Sequence, residues 1–212
     1  MAKKEKTICN GIFFDKEELQ KLAKEHENLA WIKIENRKEI QDPHITLQFK
    51  PNQQQDEEFK PLIGQKVEVT ISQYGSDGNN EGFRVSKIKA EDEKLKEMCK
   101  HIPSGIPHIT TAVNGDIDPE TGQTIGKPID TYKLFDGSNP QAAKDIEPIK
   151  LTGTVGAYKI VPHKGPQAIT EAQEENEKPK SFEELMERIS KKGAEEKSGK
   201  NAKAQKDVLD DR

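Results

Sequence analysis

The tetrapeptide Pro-His-Ile-Thr occurs twice, at residues 43–46 and 107–110, and each copy runs on into residues that favour a β-strand. Side chains alternate along a strand, so His44 and Thr46 point to one face and Ile45 to the other, and His108 and Thr110 oppose Ile109 in the same way. A chain with this repeat must supply two strands, each with an apolar back and a polar front. If two strand–helix units pair about a pseudo-two-fold axis, the two fronts converge on one cleft holding two imidazoles and two hydroxyls.

The remaining sequence predicts units of this kind. Thr7 to Phe14 reads as a strand, and Asp15 with Glu18 three residues later opens a helix to about Asn28 with Leu19, Leu22 and Ala23 on one face. Alternation predicts strands at Ala30–Glu35 and His44–Lys50, with a short helical stretch from Asp56 to Leu62 after them. Lys66–Tyr74 and Glu81–Ile88 flank a turn cluster and predict a hairpin, and a charged helix over Glu91–His101 precedes the second motif strand. Residues 114–131, rich in Gly, Pro, Asp and Thr, read as a long loop, and Ile149–Val161 as a last strand.

Apolar residues make up 31 % of the chain and charged ones 34 %, but the dilution is local. From His163 to Arg212 there are 11 Lys or Arg, 12 Asp or Glu and one aromatic, Phe182. This predicts a folded domain over 1–162 and a charged, largely disordered tail over 163–212. Within the tail, Phe182, Leu185, Met186 and Ile189 have helical spacing behind a capping box at Ser181, so residues 181–191 predict a short amphipathic helix able to dock on its own domain or on a protein partner. A net charge of −4 supplies no basic field for long duplex nucleic acid. Cys9 and Cys99 lack metal spacing and read as reduced core thiols, and no apolar run suits a signal peptide or a membrane span. The expectation is a cytoplasmic protein.

Two imidazoles suit a reaction that needs one base and one acid near neutral pH, and the hydroxyls can donate to non-bridging phosphate oxygens. The paired His-x-Thr motifs resemble the two-histidine (2H) phosphoesterase superfamily. Asn10-Gly-Ile-Phe-Phe, Val67 to Asp77 with Gly82-Phe-Arg-Val, Lys127-Pro-Ile-Asp-Thr and Leu151-Thr-Gly-Thr-Val extend the likeness. Over residues 7–162 the chain is most similar to the cyclic phosphodiesterase domain of fungal-type tRNA ligases.

The resemblance implies an α+β, bilobal fold, with two pseudo-symmetric antiparallel sheet lobes and outer helices around a central cleft. It implies cofactor-free and metal-free hydrolysis of a cyclic phosphate on a nucleotide or RNA terminus, with His44 and His108 as acid and base and Thr46 and Thr110 as phosphate donors. Which histidine is the acid stays open. The position after the second threonine, apolar in the family, is Thr111, whose hydroxyl needs a partner if it packs inward.

Four further residues are candidate substrate contacts. Tyr74 could stack on a base, though a hairpin-end tyrosine is more often simple packing; Arg84 could face the phosphate, though an exposed strand arginine is at least as good a reading; Lys127 and Thr131 match the family's loop after the second motif and are candidates of the same standing. Asp116, Asp118 and Glu120 resemble the start of a calcium loop, but the spacing is incomplete and Pro119 intrudes, so a solvated turn is the better reading. His26, His101 and His163 have no paired partner and read as surface residues. The same four motif residues also fit cleavage of a cyclic oligonucleotide defence signal, as in phage enzymes. A non-catalytic module holding a nucleotide or RNA end is the alternative of another class.

Overall fold

The computed structural model describes residues 6–161 and 165–171, all within one unit, Met1–Ala172. Strand β1 (Lys6–Phe13) leads into helix α1 (Lys16–Glu25), the short strand β2 (Arg37–Glu39) and the first motif strand, β3 (His44–Phe49). Asp15 caps α1 by accepting from the Glu18 N–H at 2.8 Å, which stops the helix from extending back into β1. Leu19 and Ala23 bury its inner face. Helix α2 (Gln53–Phe59) starts at a reciprocal capping box between Asn52 and Gln55.

Strands β4 (Lys66–Ser76) and β5 (Asn80–Lys89) form the expected hairpin, with a tighter turn than the sequence suggests. Asp77 Oδ1 accepts from the Asn79 and Asn80 N–H groups at 2.9 and 2.8 Å, an Asx turn that lets pairing run up to Ser76 and Glu81. Helix α3 (Glu93–Lys100), capped by Asp92, then precedes the second motif strand, β6 (His108–Asn114). Of its predicted apolar stripe, Leu95 is fully buried while Met98 and Cys99 pack at the core margin.

β7 (Ala143–Val161) begins six residues before the expected Ile149. Pro148 has no N–H to give a ladder, which marks a strand end in sequence. Here the register slips instead, from Ile71↔Ile149 to Gln73↔Asp145, and pairing with β4 resumes beyond the bulge. β8 (Gly165–Ile169) folds back on β7, so the sheet extends past the boundary expected at 162. The predicted 181–191 helix lies outside the described residues.

All the strands belong to one antiparallel sheet with the order β2-β6-β5-β4-β7-β1-β3, and β8 beside β7. The fold is therefore α+β. Apart from β2 and β8 the order is palindromic about the β4–β7 pair: β6, β5 and β4 on one side match β3, β1 and β7 on the other. The Ile of each tetrapeptide, Ile45 and Ile109, is wholly buried in the core with Ile12, Ile71, Phe83 and Val155. Each such side chain contributes about 1.5–3 kcal/mol and so fixes which face of its strand looks outward.

The strand expected at Ala30–Glu35 does not form. Ile32 makes a single bridge to Asp77, and its backbone exchanges bonds with Ser76, while Trp31 and Ile32 stay exposed. Their alternation had no neighbouring edge to pair with. Pairing passes to Arg37–Glu39, which lie against β6.

Candidate active site

The two motifs sit in the same backbone frame. Phe14 N–H donates to the Pro43 carbonyl at 3.0 Å, and Val85 N–H donates to the Pro107 carbonyl at 2.9 Å. One residue earlier on each neighbouring strand, Phe13 lies opposite His44 and Arg84 opposite His108. Two residues before those, Gly11 lies opposite Thr46 and Gly82 opposite Thr110. Just beyond each threonine the register skips one residue, Leu47 in β3 and Thr111 in β6. A Cβ at Gly11 would collide with the Ile45 carbonyl oxygen, and one at Gly82 with the Ile109 carbonyl oxygen. Glycine is required at both positions because the bulge presses the strands together.

β3 and β6 stand near opposite ends of the strand order yet touch each other, so the sheet curls until its motif strands meet. Each histidine then makes the same local bond: His44 Nδ1 is 2.8 Å from the Asp42 carbonyl oxygen, and His108 Nδ1 is 2.8 Å from the Ile106 carbonyl oxygen. A carbonyl only accepts, so Nδ1 carries the proton and Nε2 keeps a lone pair in the neutral ring. Burial lowers the pKa of both rings. At His44 the Asp42 carbonyl bond and carboxylate work against that shift; at His108 the Ile106 carbonyl bond does so too, and the charge of His44 adds to the shift. His108 therefore senses the charge of His44.

Around these equal frames the neighbours differ. His44 lies against Phe13 with centroids 5.0 Å apart and stacks at 6.2 Å on Tyr158. Cys9 Sγ is 3.4 Å from His44 Nε2, and burial pushes this thiol up to about 12. His108 has Tyr132 at 6.5 Å, and its Nε2 has no hydrogen-bond partner among the described residues. The Thr110 hydroxyl is buried; it lies 3.2 Å from the Pro128 carbonyl oxygen and 3.0 Å from Thr131 Oγ1. It has one proton, so it donates to Pro128 and accepts from Thr131. Thr46 is half-buried, with no such partner among the described residues.

Arg84 shares a face with His108 and donates to Gln73 Oε1 at 3.2 Å. Thr131 is fully buried in the helical turn Pro128–Leu134 and reaches Thr110 rather than open solvent. Lys127 is exposed just before that turn.

Tyr74 is corrected: it is wholly buried between His26 and Phe83, so no ligand base can stack on it. The hairpin extends past it to Ser76, which places a tyrosine expected at a strand end in mid-strand. His26 likewise packs half-buried against those aromatics instead of lying free on the surface. His101 is exposed, and His163 lies outside the described residues.

The Thr111 hydroxyl does find a partner, Glu81 Oε1 at 2.7 Å. Glu81 is itself buried and held by two Arg37 bonds of 3.1 and 2.7 Å. In the acidic loop Asp116 accepts from Asn36 at 2.8 Å, a tertiary contact to the segment before β2, and Asp118 accepts from the Glu120 N–H at 2.9 Å, a turn contact. Among the described residues no three His, Cys, Asp or Glu side chains are grouped to hold a metal ion. No helix among them is long and apolar enough to cross a membrane.

Sequence reading missed Gly11, Gly82, Cys9, Phe13, Tyr132 and Tyr158. The glycines stand at different distances from their motifs along the chain, so only strand pairing shows that each lies two residues before the partner of the motif histidine. The others reach the histidines through strand pairing or tertiary packing, which no local pattern encodes. Among known proteins, no family model and no curated sequence matches this chain.

Proposed function

We propose that the face shared by β3 and β6 hydrolyses a cyclic phosphodiester, a 2′,3′-cyclic nucleotide or RNA end, by acid–base catalysis without a metal. The observation that carries this reading is the matched pair of histidines. Both are anchored through Nδ1 at 2.8 Å, which leaves Nε2 as the atom that exchanges a proton, open at His108 and 3.4 Å from Cys9 Sγ at His44, and His108 feels the charge of His44. One imidazole takes the proton of a water whose oxygen bonds to phosphorus. The other, entering as imidazolium, gives its Nε2 proton to the ribose oxygen as the P–O bond breaks, leaving a phosphomonoester and a free hydroxyl. Thr46 and Arg84 supply a donor and a charge for the non-bridging oxygens, and Thr110 joins them by turning its proton from the Pro128 carbonyl to the phosphate. The palindromic strand order and the two matched bulges support the bilobal architecture of the 2H phosphoesterases that the motifs resemble.

A second reading rests on the tyrosine beside each histidine, Tyr158 at His44 and Tyr132 at His108. Two aromatic flanks fit a phosphodiester with a base on either side, as in a cyclic oligonucleotide. Incubation with 2′,3′-cyclic mononucleotides, a cyclic-phosphate RNA end and cyclic di- and trinucleotides, followed by phosphorus NMR with and without EDTA, tests both. Turnover that survives EDTA and is lost in His44→Ala and His108→Ala is expected. Turnover retained in both variants overturns the proposal, and binding without product across the panel would leave a nucleotide-binding module.

A further inference from the structure

Cys9 is an addition to the motif set with no counterpart in the other half. Its side chain is buried on the face of β1 that carries Gly11 and Phe13, and its Sγ lies 3.4 Å from His44 Nε2. A cysteine beside a histidine invites reading as a thiolate nucleophile. Burial opposes that here by keeping the thiol protonated, while the Asp42 carbonyl fixes the His44 proton on Nδ1. The sulfur therefore carries the hydrogen, and Nε2 carries the lone pair that meets it.

We propose that Cys9 is a positioning residue whose S–H donates to His44 Nε2, holding the ring in its neutral Nδ1–H form and in the plane set by Phe13 and Tyr158. The other groups facing this ring are the Asp42 carboxylate, the Tyr158 phenol and His108. Asp42 favours the imidazolium, so the thiol and burial together oppose it. His108 lacks such a donor, and the two members of the pair are held differently for one reaction. The inference refines the acid–base reading above and is tested without turnover.

The test is a pH titration of the histidine side chains by 15N-edited NMR on the full chain, with Cys9→Ala, Cys9→Val and Cys9→Ser. The expected result is a His44 Nδ1–H tautomer in the native protein and a rise in its pKa of roughly half to one unit in the Ala and Val variants, as expected for losing one hydrogen bond to the neutral form. Ser should restore part of the shift, and His108 should move less. Val keeps the volume near Sγ, so a cavity effect in Ala alone is recognised. An unchanged or lowered His44 pKa in whichever of Ala and Val folds, or an Nε2–H tautomer in the native chain, overturns the proposal. Rapid alkylation of Cys9 by iodoacetamide at neutral pH also overturns it. If these values behave as expected while no substrate is cleaved, the positioning role stands and the hydrolase reading fails.

Discussion

The Phe14 N–H bonded to Pro43 and the Val85 N–H bonded to Pro107 open two segments that match residue for residue through His, Ile and Thr. Past the backbone they part. The first half surrounds His44 with Phe13, Tyr158 and a thiol and gives the Thr46 hydroxyl no partner among the described residues, whereas the second sets His108 across from Arg84 and ties Thr110 to Thr131. Even the bulge residues differ: Leu47 enters the core, and Thr111 joins the Glu81–Arg37 pair. Equal frames with unequal neighbours are what the proposed acid and base, built on one repeated motif, would need: matched geometry to reach one phosphate, and unmatched proton affinity.

The largest expected effect tests whether the halves act as one unit. His44→Ala and His108→Ala should each cut kcat by on the order of 10²–10⁴-fold, and the double variant should be little worse than either single one. Rates that multiply in the double variant would show two independent sites. Next, Arg37→Ala should leave the buried Glu81 carboxylate without its cation and cost up to about 3 kcal/mol in urea unfolding. That is the lower end for a broken buried pair, because the Arg37 side chain keeps 30 % of its surface in water. Asn10 stands one residue before Gly11 as Glu81 does before Gly82, and among the described residues its side chain bonds only to neutral Gln48 and to Asp56. An equally large loss from Asn10→Ala would erase this contrast between the halves.

Gly11→Ala and Gly82→Ala should each destabilise by about 1–3 kcal/mol, since both place a methyl against a backbone carbonyl. Unequal losses would break the equivalence of the bulges. The smallest effect is in the pH dependence of stability. Burial holds both histidines below their ordinary 6.5, so the unfolded chain takes up protons first; stability is full above that pH and falls as pH drops through the two folded values. His44→Gln and His108→Gln should each remove part of the fall, measured as urea midpoints at about pH 5 and about pH 7.5.

Much of the local frame was legible from residues. Asp15 marked the start of α1, and alternation placed Ile45 and Ile109 inward and the His and Thr side chains outward. The same rule failed at Ala30–Glu35, because alternation describes a strand's faces but supplies no partner edge. At Tyr74 a turn-rich segment concealed two more paired positions, which changed a surface candidate into a core residue. Thr131 was placed in the right loop with the wrong partner: it reaches Thr110 and not open solvent.

By itself the sequence determined the repeated strand, its register of faces and the four side chains it presents, because these follow from a two-residue period and from which residues water expels. Tertiary structure alone decided that β3 and β6 meet, that His44 faces a thiol while His108 faces none, and that Thr110 is already bonded. Those facts depend on the curl of the sheet and on contacts between strands far apart in the chain, which no local spacing carries.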